Sequence, residues 1–593
     1  MVAESHPYLR TFVRLLGFLR PYRWSLTVSI LLAVASQAAA VAIAFLTGDA
    51  LESAVDAQSG RQLWLLALAI LLVGAARAVF MAGRRLISGR QALGVEYDLR
   101  DEIYAKLLRL SFGFYDRHQT GQLMSRATVD LQAVRFFLGY GLIFFFQHLL
   151  TIVGVTVVLF IVNWKLALAA TAFTPVLVFL AYRYSRVSHP VLRDVQQRMA
   201  DVATVAEENI VGVHVVKSFA QEGAEAAKFE QRTESLFGRS LDANRQRALY
   251  VPLLSFLPLI AQATVLLFGG RMVASGELAL NSFFAFNVLV LMLVMPLRML
   301  GMWIGQAQRA TASGERIFEV VDETEDVRDA AGAAVLPPGD GRIAFQDLGF
   351  AYTHGRPVLE GVDLEIEPGR TVALIGHTGS GKTTLASLVP RFYDATAGRV
   401  TIDGTDVRDV KVATLRRAIG IVAQDPFLFS ATVRENIAFG APGATDEDVV
   451  RAARLAQADE FIAELPDGYE TMVGERGITL SGGQRQRIAI ARALILDPRI
   501  LILDDATASV DATTEARIRL GLREAMKGRT TLIVAHRLST IALADELVVL
   551  DRGRIAARGT QAELLEGSPV FREIYEHGLL EREFSERVEA AGA

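Results

Sequence analysis

The chain has no cysteine and no excess of basic charge. The absence of cysteine excludes disulfide bonds and thiolate metal sites. The 61 basic and 65 acidic side chains leave a net charge of −4, so no nucleic-acid partner is indicated. No cleavable signal peptide is predicted either, because residues 1–24 carry four arginines and no small-residue cleavage site follows a short apolar core.

Hydrophobic residues are abundant. They make up 51% of the 593 residues, against 21% charged, and the mean hydropathy is +0.31. The charges cluster outside several long apolar runs. Because a chain of this length exceeds a single core, the composition predicts a membrane part joined to a soluble part.

Six apolar stretches in the first half approach the roughly 20 residues that a helix needs to cross a bilayer. They lie at about 25–47, 63–83, 136–162, 166–182, 249–269 and 281–301. The gaps at about 84–135 and 183–248 are long, helical in pattern and rich in arginine, which places them and both termini in the cytoplasm. We therefore expect a multi-pass protein in the lipid bilayer of the inner (plasma) membrane.

Two stretches in the long gaps, around Gly121 and around Gly212, each contain a glycine that favours a helix break. They are candidates for contact with the second half of the chain. Polar residues inside spans are costly and often functional, although interhelical hydrogen bonds or snorkelling explain them equally well. These residues are Gln37, Gln147, His148, Gln262, Asn287 and Arg298.

The second half begins after an acidic stretch and a segment rich in alanine, glycine and proline. Strands resume at Ile343 and alternate with helices to about residue 580, which predicts an α/β nucleotide-binding domain. The predicted organisation is a transmembrane domain with long cytoplasmic helical extensions over residues 1–320, a linker over 321–342 and the α/β domain over 343–593.

The α/β domain contains a glycine-rich loop between an apolar strand and a helix start. The loop fits the phosphate-binding pattern G-x-x-x-x-G-K-[ST], in which glycines let consecutive N–H groups wrap a phosphate. Lys382 is expected to reach the outer phosphates, and the Thr383 hydroxyl suits Mg²⁺. The alternative is an ordinary glycine turn. The predicted nucleotide-binding residues are Gly376, His377, Thr378, Gly379, Ser380, Gly381, Lys382, Thr383 and Thr384.

Two further motifs follow in order. Ser481-Gly482-Gly483-Gln484 comes after Leu480, and an apolar strand ending in Asp504 lies beyond it. With the phosphate loop, these motifs resemble the signature and Walker B elements of ATP-binding cassette (ABC) proteins. The six spans ahead of them resemble a half-transporter of the multidrug-exporter type, and this resemblance covers essentially the whole chain. It implies ATP and Mg²⁺ as cofactors and a six-span α-helical domain followed by an α/β P-loop domain with a helical subdomain.

The resemblance also implies roles for single residues. Tyr352 would stack on adenine, Gln424 and Asp504 would hold Mg²⁺ with Thr383, and His536 would contact the γ-phosphate. Ser481 and Gly483 would serve a nucleotide held by a second cassette, and Asp511 would cross the seam between the two. The segment from Gly474 to Gly477 and the two glycine-containing stretches match elements that join cassette and membrane domain in exporters.

One position departs from the family pattern. The family has glutamate after the Walker B aspartate, where it polarises the attacking water, and this chain has Asp505. Aspartate is one methylene shorter, and misplacing a catalytic base by about 1 Å costs on the order of 100-fold in rate. We therefore expect slow hydrolysis at the site formed by this chain's own phosphate loop. The pattern indicates one subunit of a heterodimer, whose partner brings the glutamate; the alternative is a tolerated change in a homodimer.

The resemblance predicts ATP-driven export of amphipathic drugs, lipids or peptides by alternating access, with Asp505, His536 and Gln424 in the catalytic set. Other readings stay open. These are a homodimeric exporter or lipid flippase, a siderophore-type importer with the exporter fold, and an ATP-gated channel or regulator. A soluble DNA-repair ATPase shares the cassette, but the six spans argue against it.

Overall fold

In a computed structural model, the described part of the chain comprises residues 7–55, 60–352, 355–474, 477, 479–505, 512–535 and 537–576. It divides into two compact units. The first contains the chain up to Leu107 together with Gly121–Asp322. The second contains Leu108–Thr120 together with the chain from Glu323 onward. A short segment of the predicted transmembrane domain, Leu108–Thr120, therefore belongs to the second unit.

Within the described residues, six helical stretches are long and apolar enough to cross a membrane, and they contain the six predicted spans. The helices up to residue 321 are α1 (Pro7–Gly17), a 3₁₀ turn (Arg20–Tyr22), α2 (Arg23–Val55), α3 (Gly60–Arg109), α4 (Phe112–Arg117), α5 (Thr120–Ser125), a π-helical segment π1 (Arg126–Asp130), α6 (Leu131–Phe136), a second π-helical segment π2 (Phe137–Gly141), α7 (Leu142–Val162), α8 (Trp164–Thr171), α9 (Thr174–Val211), α10 (Val213–Ser218), α11 (Glu222–Ala274) and α12 (Leu280–Val321).

The first unit has two apolar cores. One lies around Phe286 and Leu289 of α12, with residues of α2, α7, α8 and α11 packed against them. The other joins α1 to α3, α6 and α12, so the apolar face of the amphipathic N-terminal helix packs on protein: Leu15 is buried there. Between membrane-spanning helices, the close van der Waals packing of such side chains contributes to association, because lipid tails are as apolar as the side chains themselves.

Two π-helical segments interrupt the third span and the helix that leads into it, and such segments often accompany functional sites. Asp130, the last residue of π1, is buried and accepts hydrogen bonds from Ser313 (2.8 Å) and Arg316 (2.9 Å) of α12. Gly139 of π2 lies against α3 so closely that an added Cβ would be 2.0 Å from the Cβ of Ala92. The third span is thus fixed to both neighbouring helices at its two π-helical turns.

The helix break near Gly121 differs from the sequence prediction. Gly121 lies inside α5, and the chain is extended at His118, where α4 ends. The His118 ring stacks on Phe114 at 4.2 Å, and its Nδ1 lies 2.9 Å from the Phe114 carbonyl oxygen. This local packing, rather than a glycine, ends the helix. Gly212 does separate α9 from α10.

The second unit contains two sheets. The larger has the strand order β10-β9-β3-β8-β7-β6, and all its pairings except β9–β10 are parallel. The smaller is antiparallel, with the order β2-β1-β4-β5. The strands are β1 (Ile343–Phe350), β2 (Leu359–Ile366), β3 (Thr371–Ile375), β4 (Ala397–Ile402), β5 (Thr405–Asp406), β6 (Ile419–Val422), β7 (Ile500–Asp504), β8 (Thr530–Val534), β9 (Glu546–Asp551) and β10 (Arg554–Gly559).

The central strands β3 and β8 are buried along their whole length, as expected for parallel strands covered on both faces. The helices of this unit beyond residue 343 are α13 (Lys382–Leu388), α14 (Val412–Arg417), α15 (Val433–Ala438), α16 (Asp446–Leu455), α17 (Asp459–Ala463), a 3₁₀ turn (Gly468–Glu470), α18 (Gly482–Leu494), α19 (Ala512–Met526), α20 (Leu538–Ile541) and α21 (Gln561–Gly567). The predicted phosphate loop joins β3 to α13.

Candidate nucleotide and transport sites

The predicted phosphate loop has the backbone that its glycines allow. Gly379 and Gly381 have φ values of +84° and +101°, in the left-handed region that favours glycine. A Cβ at Gly381 would also lie 2.7 Å from Leu359. The Ser380 hydroxyl oxygen is buried and has no partner among the described residues. A loop of this shape, with an unused hydroxyl, fits a phosphate group.

Lys382 lies at the inner side of this loop. Its Nζ donates to the carbonyl oxygens of Gly376 (2.7 Å) and His377 (3.0 Å), and the side chain is buried. Burial lowers the pKa of Lys382, and the charge of Asp504 acts in the opposite direction. The ammonium group is thus held by two neutral carbonyls at the point where a phosphate would bring negative charge.

The predicted Mg²⁺ ligands meet at one sheet edge. The Thr383 hydroxyl lies 3.5 Å from Asp504 Oδ1. Asp504 ends β7, and Gln424 follows β6 by two residues. Because β6 and β7 are parallel neighbours, with Val422 opposite Leu503, both residues leave the sheet at the same edge. A hydroxyl, a carboxylate and an amide oxygen are the oxygen ligands that Mg²⁺ prefers, so these residues fit the ion.

Asp505 follows directly and has an unusual backbone. Its φ is +42°, and its N–H donates to the carbonyl oxygen of Val534 in β8 (3.1 Å). The side chain is 6% exposed, and its Oδ1 has no hydrogen-bond partner among the described residues. Aspartate tolerates the left-handed conformation better than most residues, so the backbone here suits the residue that the chain carries.

The predicted adenine-stacking residue, Tyr352, is held at two points. Its hydroxyl lies 2.9 Å from the Thr384 hydroxyl, and its ring meets the edge of Phe350 at 4.8 Å. The side chain nevertheless remains 39% exposed. An aromatic ring that is held by its hydroxyl group and remains partly exposed is suited to stack on a flat base.

The Ser481-Gly482-Gly483-Gln484 motif begins α18. Ser481 is the N-cap, and its hydroxyl accepts from the Gln484 N–H (3.2 Å) while the Gln484 side chain accepts from the Ser481 N–H (2.9 Å). This capping box fixes the motif at the start of a 13-residue helix. Two other predicted site residues, Asp511 and His536, lie outside the described residues, as do Glu475 and Arg476.

Comparison with known families decides the class of this chain. A model of the ABC transporter transmembrane region matches residues 26–297, and a second ABC transporter model matches residues 359–508. The chain belongs to the ABC transporter family.

Individual relatives of this ABC transporter support the family assignment. An uncharacterized ABC transporter ATP-binding protein of Bacillus subtilis (strain 168) is 42% identical over 81% of this chain and 82% of its own length. An ATP-dependent lipid A-core flippase of Syntrophus aciditrophicus (strain SB) is 36% identical over 95% and 93%. A putative multidrug export protein of Staphylococcus aureus (strain NCTC 8325 / PS 47) is 36% identical over 95% and 99%.

The fold of the ABC transporter also matches a solved structure. A bacterial Atm1-family ABC exporter with ATP bound superposes with a TM-score of 0.77, at 29% identity, over 94% of this chain and 98% of the other. The chain is therefore a multi-pass half-transporter of the ABC exporter type, with six spans fused to an ATP-binding cassette that drives transport. Its relatives place it among multidrug exporters and lipid flippases.

One residue near the nucleotide site escaped the sequence analysis. Tyr393 lies where the ABC cassette holds the segment Leu108–Thr120. Its hydroxyl donates to Asp116 Oδ2 (2.7 Å), and its ring meets Tyr352 edge-on at 5.3 Å. Beside it, Phe392 packs on Phe112 at 4.4 Å. The consecutive aromatics at 392 and 393 were a readable signal, since aromatic residues at a domain surface often anchor a partner segment.

The segment Leu108–Thr120 is also held by the acidic stretch that precedes the cassette. Ser111 donates to Asp326 (3.1 Å), and Arg117 pairs with Glu323 (3.1 Å). This confirms the expectation that the first glycine-containing stretch contacts the second half of the chain.

In the membrane unit of the transporter, two of the predicted polar span residues belong to one hydrogen-bonded network. Gln37 of α2 accepts from Thr151 of α7 (3.0 Å), and Gln147 of α7 accepts from Arg84 of α3. Asn287 donates to the carbonyl of Phe283 within its own helix (3.0 Å). The network therefore links three spans, while Asn287 makes a local contact.

Proposed function

We propose that this half-transporter works with a different chain, as one subunit of a heterodimeric exporter of amphipathic drugs, lipids or peptides. It resides in the inner (plasma) membrane with both termini in the cytoplasm. The second chain brings the glutamate that position 505 lacks, and it uses Ser481 and Gly483 of this chain at the shared active site.

The observation that carries the proposal is Asp505 beside an unaltered signature motif. At its own site the chain offers a shorter carboxylate, which is suited to hold ATP rather than hydrolyse it rapidly. At the partner's site it offers Ser481 and Gly483 at the start of α18, fixed by the capping box. The two nucleotide sites of the dimer then hydrolyse ATP at different rates.

The chain's own residues bind and orient the nucleotide. Tyr352 stacks on adenine, the phosphate loop wraps the phosphates, and Lys382 exchanges its two backbone carbonyl contacts for phosphate oxygens. Thr383, Gln424 and Asp504 would hold Mg²⁺, which neutralises phosphate charge and orients the terminal phosphate. Asp505 would accept a hydrogen bond from the attacking water, and His536 would contact the γ-phosphate.

Closure of two cassettes around ATP moves the membrane spans from an inward-facing to an outward-facing state. The segment Leu108–Thr120 is suited to carry this movement, because it is fastened to the cassette by Tyr393 and Phe392 and continues into α3 and α5. Hydrolysis at the partner's site resets the cycle.

A second candidate is a homodimeric lipid flippase. It is favoured by the 36% identity, over nearly the full length of both chains, with an ATP-dependent lipid A-core flippase. In that case Asp505 serves as the catalytic carboxylate at both sites, and no second chain is required.

Purified protein separates the two candidates. The chain is assayed alone and with any exporter half encoded beside it, in vesicles, with ATP or a non-hydrolysed analogue. We expect uphill, hydrolysis-dependent flux only in the pair, a severe loss with Ser481→Ala and a small loss with Asp505→Ala. Full activity of the chain alone that Asp505→Ala abolishes would establish the homodimer. Passive flux on ATP binding alone would contradict any exporter.

A further inference from the structure

A chain of contacts joins four helices of the membrane unit. The Thr151 hydroxyl lies 3.0 Å from Gln37 Oε1 and 2.9 Å from the Gln147 carbonyl oxygen. The Gln147 side chain accepts a hydrogen bond from Arg84, whose guanidinium lies 4.9 Å from the centre of the Phe144 ring. We call this set, together with Trp303 and His148, the inner polar cluster.

Aromatic rings complete the inner polar cluster. Phe144 stacks almost parallel to Trp303 of α12, with centroids 5.4 Å apart and 8° between the planes. His148, one turn further along α7, lies 6.4 Å from the same indole. Arg84 and Trp303 are each only 6% exposed, so the cluster lies in the interior of the unit.

The inner polar cluster has a surplus of hydrogen-bond donors. Three N–H groups are buried without a partner among the described residues: Gln37 Nε2, Arg84 Nε and Trp303 Nε1. The side-chain oxygens of Gln37 and Gln147 already accept hydrogen bonds. Each unpartnered buried donor is costly, and three in one connected cluster indicate a missing acceptor.

The charge of the cluster also indicates that an acceptor is missing. Arg84 carries a buried positive charge, and within the described part of the chain no carboxylate forms an ion pair with it. Its recorded contacts are a neutral amide and an aromatic face. A buried cation without an anion is strongly unfavourable, and a guanidinium binds carboxylate and phosphate oxygens with two parallel hydrogen bonds.

Four residues of the cluster lie toward the same side of the predicted membrane. Arg84 directly follows the predicted span 63–83, and Trp303 follows the span 281–301. Gln147 and His148 lie in the first half of the span 136–162. With both termini in the cytoplasm, these four positions fall toward the cytoplasmic end of their spans, and Gln37 lies at the middle of the span 25–47. This is the level at which the headgroup of a lipid-like molecule in the inner leaflet would arrive.

We propose that Arg84, Gln37 and Trp303 form a subsite for the anionic headgroup of an amphipathic cargo, a phosphate or carboxylate attached to an alkyl tail. This assignment rests on the proposed export function and on its membrane orientation. Because the three N–H groups are buried here, the headgroup reaches them when α2, α3, α7 and α12 separate during alternating access. The cluster then selects anionic over cationic amphipaths.

Binding is tested without ATP, so the result does not depend on transport. The full chain is placed in phosphatidylcholine nanodiscs, and retention of radiolabelled dodecyl phosphate is compared with that of empty nanodiscs. Dodecyltrimethylammonium is the cationic competitor, and inorganic phosphate is the competitor without a tail. We expect saturable binding that neither competitor displaces at equal concentration. If inorganic phosphate displaces the labelled dodecyl phosphate, the anion subsite is supported, but its ligand is a free anion rather than the headgroup of an amphipath.

Two variants test the assignment to Arg84. Arg84→Gln keeps a polar side chain but removes the cation, and we expect roughly a tenfold or greater loss of dodecyl phosphate affinity. Arg85→Gln is the matched control, because Arg85 is the adjacent cation on the same helix but is exposed. We expect it to bind as the unaltered chain does. Equal losses in both variants, or none in Arg84→Gln, would overturn the proposal.

A third variant covers the case in which Arg84→Gln does not fold. Trp303→Phe keeps a stacked ring and removes only the indole N–H, and we expect roughly a two- to fivefold loss of affinity. Unchanged affinity in this variant would count against the subsite. Absence of uphill flux in the vesicle assay would contradict the proposed export function but would leave the binding result intact. Equal export of cationic and anionic amphipaths would contradict the subsite alone.

Discussion

Tyr393 donates a 2.7 Å hydrogen bond from its hydroxyl to the carboxylate of Asp116, which lies 277 residues earlier in the chain. The same tyrosine ring contacts Tyr352 at 5.3 Å. Tyr352 in turn meets Thr384, next to the predicted phosphate loop, through its hydroxyl. A continuous set of contacts therefore joins the segment Leu108–Thr120 to the predicted adenine-stacking ring within one compact unit.

Removing this hydroxyl is expected to weaken the connection without unfolding the cassette. Tyr393→Phe keeps the ring contact with Tyr352 and loses one hydrogen bond to a charged group, worth about 1.5–3 kcal/mol at most. We expect ATP hydrolysis to continue while its stimulation by an amphipathic cargo falls several-fold. ATPase assays with and without cargo measure this split. Asp116→Asn should resemble Tyr393→Phe. If cargo stimulates ATP hydrolysis as strongly in both variants as in the unaltered chain, the bond does not couple cargo binding to hydrolysis.

The same tyrosine should resist ionisation at alkaline pH. Burial, the hydrogen bond to Asp116 and its negative charge raise the pKa of Tyr393. A raised pKa in the folded state gives a stabilising contribution that is fully present below the ordinary tyrosine value of about 10 and is lost as the pH rises through the folded value. The absorbance of tyrosinate near pH 10–11 should therefore not change between the unaltered chain and Tyr393→Phe. A tyrosinate signal between about pH 10 and 11 that disappears in Tyr393→Phe would contradict the raised pKa of Tyr393.

Lengthening the carboxylate at position 505 is expected to speed hydrolysis by the chain alone. Asp505→Glu restores the missing methylene, and a rise of up to about 100-fold is expected from better placement of the base. The left-handed backbone at this position costs glutamate about 1–2 kcal/mol more than a residue suited to it, so the variant should also be slightly less stable. Steady-state ATPase rates and thermal unfolding measure both effects. Asp505→Asn, which removes the charge at constant size, is the control that must not show the gain.

Loss of the loop lysine is expected to weaken nucleotide binding while leaving the fold intact. Lys382→Met removes the cation that contacts the Gly376 and His377 carbonyls. A charge-assisted hydrogen bond to phosphate contributes about 1.5–3 kcal/mol, so ATP affinity should fall roughly tenfold to a hundredfold. Lys411→Met is the matched control, because Lys411 is an exposed lysine of the same cassette. Binding of a fluorescent ATP analogue provides the measurement, and similar affinities in the two variants would refute a phosphate-binding role for Lys382.

Hydropathy located the six spans because only helices satisfy every backbone group inside a bilayer, and such helices need long apolar runs. The glycine-rich turn of the predicted phosphate loop, and the meeting of Thr383 with Asp504 at the edge of the parallel sheet, were predictable for a similar reason. Their chemistry demands fixed residue types at fixed spacing, as at Lys382 and Thr383.

Long-range packing left no comparable trace in the sequence. The aromatic pair at 392 and 393 indicates an anchoring surface, but the Tyr393–Asp116 bond depends on how a segment of the first half folds onto the second, and neither residue reveals its partner. Likewise, Arg84 looked like an ordinary cytoplasmic arginine at the end of a span. Only the approach of α7 and α12 makes it a buried cation beside Phe144 and Trp303.

The two π-helical segments of the third span set the direction in which its inner half faces. A π-helical turn accommodates one residue more than an α-helical turn, so each segment rotates everything beyond it by about 100° relative to an unbroken α-helix. Gln147 and His148 lie beyond both segments. Deleting one residue from Phe137–Gly141 would therefore turn Gln147 away from Arg84, although every side chain of the cluster would still be present. The register of this helix, and not its composition alone, thus determines what the transporter recognises.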